Sequence, residues 1–264
     1  MFRLDRLLLL ILCAGIAVIG CDSLTRPNPN TPDALAATSI LDPQMDQQVL
    51  LLARVANPLP DSENAALVQD ATVRIGGVRL DNRPAADSLR TGNDLLAQAN
   101  YRTDTLDVQP GSTYALTVEK GDDSLSGTVA VPDTFRGWAE GRRLVWTPSE
   151  GAVRYQVHIE DAADTSFEFN REYTVTDTAL RVEEVERENE TPPENYYVEI
   201  TAQDPHLVTF MRGETDRAGI KGGYGLFGAQ LRIIGTVTLS DGSTAPGRSE
   251  AGSGDGRASL RLMK

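Results

Sequence analysis

Tyr196-Tyr197-Val198-Glu199-Ile200-Thr201-Ala202 decides how this chain folds. Tyr196, Val198, Ile200 and Ala202 fall on one side of an extended backbone, and Tyr197, Glu199 and Thr201 on the other. Apolar residues at every second position, many of them β-branched or aromatic, mark a strand with one buried face. The same period recurs on both sides of this stretch. Tyr155, Val157 and Ile159 alternate with Gln156, His158 and Glu160. Further upstream, Tyr114, Leu116 and Val118 alternate with Ala115, Thr117 and Glu119, and Val73 and Ile75 with Thr72 and Arg74. Gly76-Gly77, Pro110-Gly111, Gly121-Asp122 and Glu150-Gly151 punctuate these runs as turns. No stretch of comparable length in the body of the chain has a helical period. The chain is therefore expected to be all-β.

Strands are expected at 48–55, 71–75, 78–80, 101–108, 113–119 and 125–131, where Pro132 stops the run. A second set is expected at 144–148, 155–160, 167–169, 173–175, 180–182, 196–202 and 229–239. Short strands at regular spacing with turn signals between them imply β-sandwiches. Two tandem sandwich domains are expected, over 46–133 and 134–239. Residues 81–100 are ambiguous, and Asp94 to Ala99 reads either as one helical turn or as a loop. The Gly- and Ser-rich residues 240–264 read as a tail, with Leu260-Arg261-Leu262 either adding a short edge strand or fraying.

The N-terminus carries the clearest functional signal. Arg3 and Arg6 precede an apolar run, 7–19, that is too short for a bilayer span of about 20 residues and suits the apolar centre of a secretion signal. Val18-Ile19-Gly20-Cys21 follows. This context resembles a bacterial lipoprotein signal, which implies cleavage of residues 1–20 and lipidation of Cys21. Residues 21–45 contain Pro27, Pro29, Pro32 and Pro43 and read as an extended tether. Cys13 is the only other cysteine and leaves with the signal, so the mature chain is expected to have no disulfide and no thiol chemistry. The formal charge is −13, and loss of Arg3, Asp5 and Arg6 takes it to −14. That acidity argues against nucleic-acid partners.

The second region resembles a fibronectin type III module. Trp146 and Pro148, Tyr155-x-Val157-x-Ile159, and Tyr196-x-Val198-x-Ile200-x-Ala202 carry the resemblance over roughly 134–210. It departs after Ala202, where 204–227 intervene before the last strand such a module requires. The first region is similar to immunoglobulin-like and transthyretin-like modules, through Tyr101, Asp104, Thr105 and Leu106, then Pro110 to Val118, then Val131-Pro132. In the order of its parts, the whole chain resembles an uncharacterised Bacteroidota-type outer-envelope lipoprotein family, a domain of unknown function. That order runs from the lipobox through Asp70-Ala71-Thr72-Val73-x-Ile75, Tyr114-x-Leu116-x-Val118 and the fibronectin-like core to Gly222-Gly223-Tyr224-Gly225-Leu226-Phe227-Gly228. The resemblance implies the cell outer membrane, with the leaflet left open, and no reaction.

No motif specifies catalysis, a cofactor or a metal. Gly223-x-Gly225-x-x-Gly228 has the spacing of a dinucleotide fingerprint, but a β-rich segment follows it instead of a helix. It is expected to be a tight loop with Leu226 or Phe227 tucked into the sandwich. His158 is expected to point away from Val157 and Ile159, and His206 to lie in a loop. Asp161 with Asp164, and Asp122 with Asp123, sit in turns and could offer oxygen ligands to calcium, or be plain solvated turns. The densest acidic stretch, 183–194, reads as a solvated loop or edge. The expected function is a non-enzymatic binding or scaffolding module with an envelope partner. The alternative is glycan binding through Trp138, Tyr224 and Phe227; behind it stands a hydrolase using two of the 38 acidic residues. The favoured reading of Trp138 is a packing residue between the domains, and that of Trp146 is core.

Overall fold

A computed structural model describes residues 34–55, 66–83, 99–162, 170–182, 195–239 and 259–260. The expected signal, Cys21, the expected strand at 167–169, Asp164, the acidic stretch 183–194 and most of the expected tail lie outside them. The chain divides into two compact units. Met1–Ala34 with Arg54–Ala66 holds few described residues, and Leu35–Ala53 with Leu67–Lys264 carries the features below.

Among the described residues the fold is all-β with one short helix, built as two sandwich lobes. The first eight strands are β1 (Ala34–Leu41), β2 (Gln48–Val55), β3 (Ala66–Leu67), β4 (Thr72–Ile75), β5 (Val78–Asn82), β6 (Tyr101–Thr103), β7 (Thr113–Lys120) and β8 (Asp123–Ala130). The second lobe follows with β9 (Gly137–Glu140), β10 (Arg143–Trp146), β11 (Arg154–Asp161), β12 (Asn170–Val175), β13 (Ala179–Arg181) and β14 (Tyr196–Gln203). Then come α1 (Pro205–Met211), β15 (Arg217–Ala218), β16 (Ile220–Lys221), the long β17 (Tyr224–Val237) and β18 (Ser259–Leu260).

Alternation builds the antiparallel strands as expected. Along β7, Tyr114, Leu116 and Val118 are buried while Thr113, Ala115, Thr117 and Glu119 are exposed. β8 repeats the pattern through Leu125, Gly127 and Val129. Their inward side chains join Leu50, Leu52, Val73, Ile75, Leu80, Tyr101 and Phe227 in the first core. In the second lobe, β12-β11-β14-β17 forms one sheet and β13-β10-β9-β18 the other. Between them lie Trp146, Tyr155, Val157, Ile159, Val198, Ile200, Leu231 and Ile233. The Tyr155 ring meets Trp146 and Phe135 edge to face, at centroid distances of 5.4 and 5.8 Å. Its hydroxyl accepts a bond from the Ser149 amide at 2.8 Å, so the buried phenol is not left unpaired. The strand order in these two sheets is that of a fibronectin type III sandwich, with β18 added at one edge.

Three expectations are corrected. The tether does not extend to residue 45: 34–41 is strand β1, with Leu35, Ala37, Ile40 and Leu41 buried. The region 204–239 does not belong to the second lobe alone. Residues 224–229 of β17 pair in parallel with Ala36–Leu41 of β1, and 230–237 pair antiparallel with β14. The Gly223–Gly228 stretch is therefore the beginning of that strand, not a loop; Leu226 and Phe227 are both fully buried. The inserted segment has a packing reason. A parallel pair buries both its faces. Phe227 and Ala229 face the first core, while Leu226 and Ile40 on the other side meet Leu207 and Ala218 from α1 and β15, with Phe210 against them. The helix covers what would otherwise be an exposed apolar sheet.

Glycine permits the β1–β17 approach. Gly225 has φ +111°, and a Cβ there would collide with the Ala37 backbone carbonyl. Gly225→Ala is expected to destabilise the protein by about 2–3 kcal/mol, combining backbone strain with overpacking. Both tryptophans, Trp138 and Trp146, lie in the second lobe. Tryptophan fluorescence during urea unfolding should nonetheless shift its midpoint, because β17 serves both lobes. An unchanged midpoint would mean that the lobes unfold separately.

Candidate functional site

Of the residues proposed for ligand contact, Phe227 is excluded, since its ring is entirely inside the first core. Trp138 is half-buried on β9, and its indole N–H donates to Glu140 Oε1 at 2.7 Å. Tyr224 is half-buried at the start of β17, with the Arg217 Cζ 4.5 Å from its ring centroid. These two aromatics stand on different sheets, and the guanidinium covers a face of one. The three do not assemble the aromatic groove that glycan stacking needs. Cys21 lies outside the described residues.

The structure instead concentrates its buried polar chemistry where β17 passes between the lobes. Asp204 is almost fully buried. It caps α1: Oδ1 accepts from the Leu207 amide at 3.0 Å, Oδ2 from the His206 amide at 3.1 Å, and Pro205 opens the helix. The same Oδ1 accepts from the Ala229 amide of β17 at 2.9 Å. One carboxylate thus joins the helix to the middle of the shared strand. His206 does not lie in a loop; it sits in the first turn of α1, with Nδ1 3.2 Å from the Phe227 carbonyl and 3.6 Å from Asp204 Oδ2. Burial raises the Asp204 carboxyl above its ordinary range, against the downward pull of its three amide donors and of His206.

A second carboxylate works one step further along β17. Asp42, also buried, follows β1 and accepts from the Gln44 amide at 2.9 Å, Gln230 Nε2 at 3.1 Å and Arg232 Nη2 at 3.2 Å. Arg232 lies 4.0 Å from Glu199 on the neighbouring strand. Beside it, Arg154 Nε donates to Gln203 Oε1 at 2.7 Å, and Gln203 Nε2 donates to Gln156 at 3.1 Å. Burial, then nearby Arg212, lowers the Arg154 pKa.

This seam runs into the outer face of the β12-β11-β14-β17 sheet. His158 points outward from β11, opposite to buried Val157 and Ile159. Glu172 and Glu199 stand across from it in register, and Glu160 Oε2 is 3.4 Å from its Nε2. Burial first, then Glu199 and Glu160, raises the Tyr197 phenol, with Arg232 opposing. The face is acidic and half-buried, able to accept hydrogen bonds from a partner. Among the described residues no group of three or more His, Cys, Asp or Glu side chains could hold a metal ion.

The sequence did signal α1. Asp204-Pro205 is an N-cap followed by proline at the first helical position, which starts a helix. The pairing of Asp42 with Gln230 and Arg232 had no local signal, because Gln230 lies 188 residues away.

No family profile matches the chain, and no curated protein does. Among solved structures, it is similar to the chicken interferon gamma receptor alpha chain at 12% identity, over 64% of this chain and 88% of that one. The TM-score of that match is 0.18, so it lends no argument about function.

Asp204 sets a pH dependence. Its folded-state pKa is raised, so the folded protein takes up this proton more readily than the unfolded chain. The linked stabilisation is fully present below the ordinary value of 3.8 and is lost as pH rises through the raised one. Wild type should therefore gain stability relative to Asp204→Asn as pH falls from neutral, since the amide does not titrate. At neutral pH the amide also presents a donor to the His206 N–H, a mismatch costing about 1–2 kcal/mol. Urea midpoints of the two proteins across this range provide the check. A gap that stays flat, or that narrows on acidification, contradicts the assignment.

Proposed function

We propose that this chain is a lipid-anchored protein of the bacterial cell envelope, held at the outer membrane through Cys21. It acts without catalysis, as a binding or scaffolding module for an envelope protein. Val18-Ile19-Gly20-Cys21, at the end of an apolar run that follows Arg3 and Arg6, is the observation that carries this reading. Two or more acyl chains give stable attachment, since each buried methylene contributes about 0.8 kcal/mol. Residues 22–33, with three prolines, have the composition of a tether between an anchor and a folded body.

A binding role draws support from how the polar residues are used. Asp204 and His206, the buried carboxylate and its neighbouring imidazole, are both engaged with backbone groups. Asp42 and Arg232 are engaged with each other. A surface that can meet a partner is the acidic outer face of His158, Glu160, Tyr197 and Glu199. It suits a protein that presents cationic or hydrogen-bond-donating groups.

The test is metabolic labelling with an alkyne-tagged palmitate in a bacterial host. The wild-type chain should take up label and partition into detergent. Cys21→Ser should lose the label and move to the aqueous phase, with the thermal midpoint of the folded lobes unchanged. Label persisting in the variant, or absent from wild type, removes the basis of the proposal.

A further inference from the structure

Arg154 opens β11 on the outer face of its sheet, in register with Gln203 of β14. The residue is 8% exposed. An arginine buried to this degree ordinarily has a carboxylate beside it, because a lone charge is costly to take out of water. Among the described residues no Asp or Glu lies within ion-pair distance of Arg154. Its Nε–H donates to Gln203 Oε1 at 2.7 Å, and Nη2 reaches the Met211 sulfur at 3.3 Å. A thioether is a weak acceptor, and the other N–H groups of the guanidinium have no acceptor among the described residues. Burial and the like charge of Arg212 both pull the Arg154 pKa down, and no acidic group opposes them.

The surroundings hold the guanidinium in this state. Gln203 Nε2 donates to Gln156 Oε1 at 3.1 Å, which keeps Gln203 Oε1 aimed at Arg154. The carbonyls of Val208, Thr209 and Phe210 near the end of α1 would suit a cation, but the amides of Arg212, Glu214 and Gly213 take them. Met211 meets Arg154 and is itself 56% exposed, more than Leu67 or Val153, the other exposed large apolar side chains. Methionine is unbranched and flexible, so it turns aside at little cost. Arg212 is exposed and makes only a surface pair with Glu214 at 3.6 Å. The arrangement is a buried cation short of an anion, under a movable apolar cover.

We propose that Arg154 anchors a carboxylate-binding site beneath Met211, and that its occupant is an Asp or Glu side chain of a partner protein with an aliphatic residue beside it. The carboxylate pairs with the planar guanidinium fork, and Arg212 adds attraction from nearby. The displaced Met211 lies against the aliphatic neighbour. A phosphate or sulfate would match the charge but bring no apolar group to Met211. The inference deepens the binding reading and rests on it for the occupant's being a protein. Arg154 and Glu160 stand at opposite ends of the outer face of β11, about 20 Å apart at the rise of a strand. A partner lying along that face meets opposite charges at its two ends, which fixes its direction.

The test titrates the full-length chain, carrying Cys21→Ser, with N-acetyl-leucyl-glutamyl-leucinamide, following the side-chain amide of Gln203 by NMR. The glutamyl peptide should shift that signal saturably, and the glutaminyl analogue should bind at least tenfold more weakly. Arg154→Gln should abolish the difference between the two peptides. The same variant should unfold at a urea concentration no lower than wild type, because it removes an uncompensated buried charge and keeps an amide donor for Gln203. An arginine with a purely structural role behaves oppositely, and its loss lowers the midpoint. The proposal is overturned if the two peptides bind alike, if sodium sulfate binds as tightly as the glutamyl peptide, if Arg154→Gln still discriminates, or if its urea midpoint falls. Failure of the envelope reading shows instead as absent label at Cys21, which these titrations do not sense.

Discussion

Backbone hydrogen bonding along one strand holds this protein together. β17 is 14 residues long, and no turn interrupts it between its parallel ladder with β1 and its antiparallel ladder with β14. Phe227 and Ala229 serve the first core, and Leu231 and Ile233 the second. Because a strand's side chains alternate strictly, a one-residue slip would turn both sets out of their cores together. Two buried carboxylates fix the register at the crossing: Asp204 on the Ala229 amide, and Asp42 on Gln230 and Arg232. Each accepts three hydrogen bonds, which offset part of the cost of burying its charge, and at Asp204 burial still outweighs them.

The parts of the fold legible in the sequence are those with one wet face. β7, β8, β11 and β14 alternate apolar and polar residues, and their positions follow from that alone. β1 escapes such a reading for a physical reason. Covered at least in part on both faces, with Ala36 and Thr38 half-buried and Ile40 buried, it needs no alternation of apolar and polar residues, and three of its eight residues are alanine, a weak strand former. Prolines on either side, Pro32 and Pro43, make it look like part of the tether. The beginning of β17 is disguised by Gly223, Gly225 and Gly228, which suggest a loop but admit neighbouring backbone and side chains at close range.

The site was less legible than the fold. The sequence pattern places His158 outward and Trp146 inward, and both are so found. Phe227, taken as a possible contact for a ligand, is core because β17 begins before it. The junction of Asp42, Gln230 and Arg232 depends on which strands become neighbours, and no local pattern encodes that. The functional proposal rests on the surroundings of Cys21, a short local pattern that is read without any folded context.

The shared strand also bears on heredity. Sandwich modules are commonly duplicated, shuffled and lost as separate pieces, because their boundaries fall in linkers. Here no linker separates the lobes at β17; any genetic cut between Ala229 and Gln230 would take the last strand from one lobe and the partner of β1 from the other. Insertions are tolerable in the turns but not in that strand. The two lobes must therefore be transmitted, varied and selected as one piece.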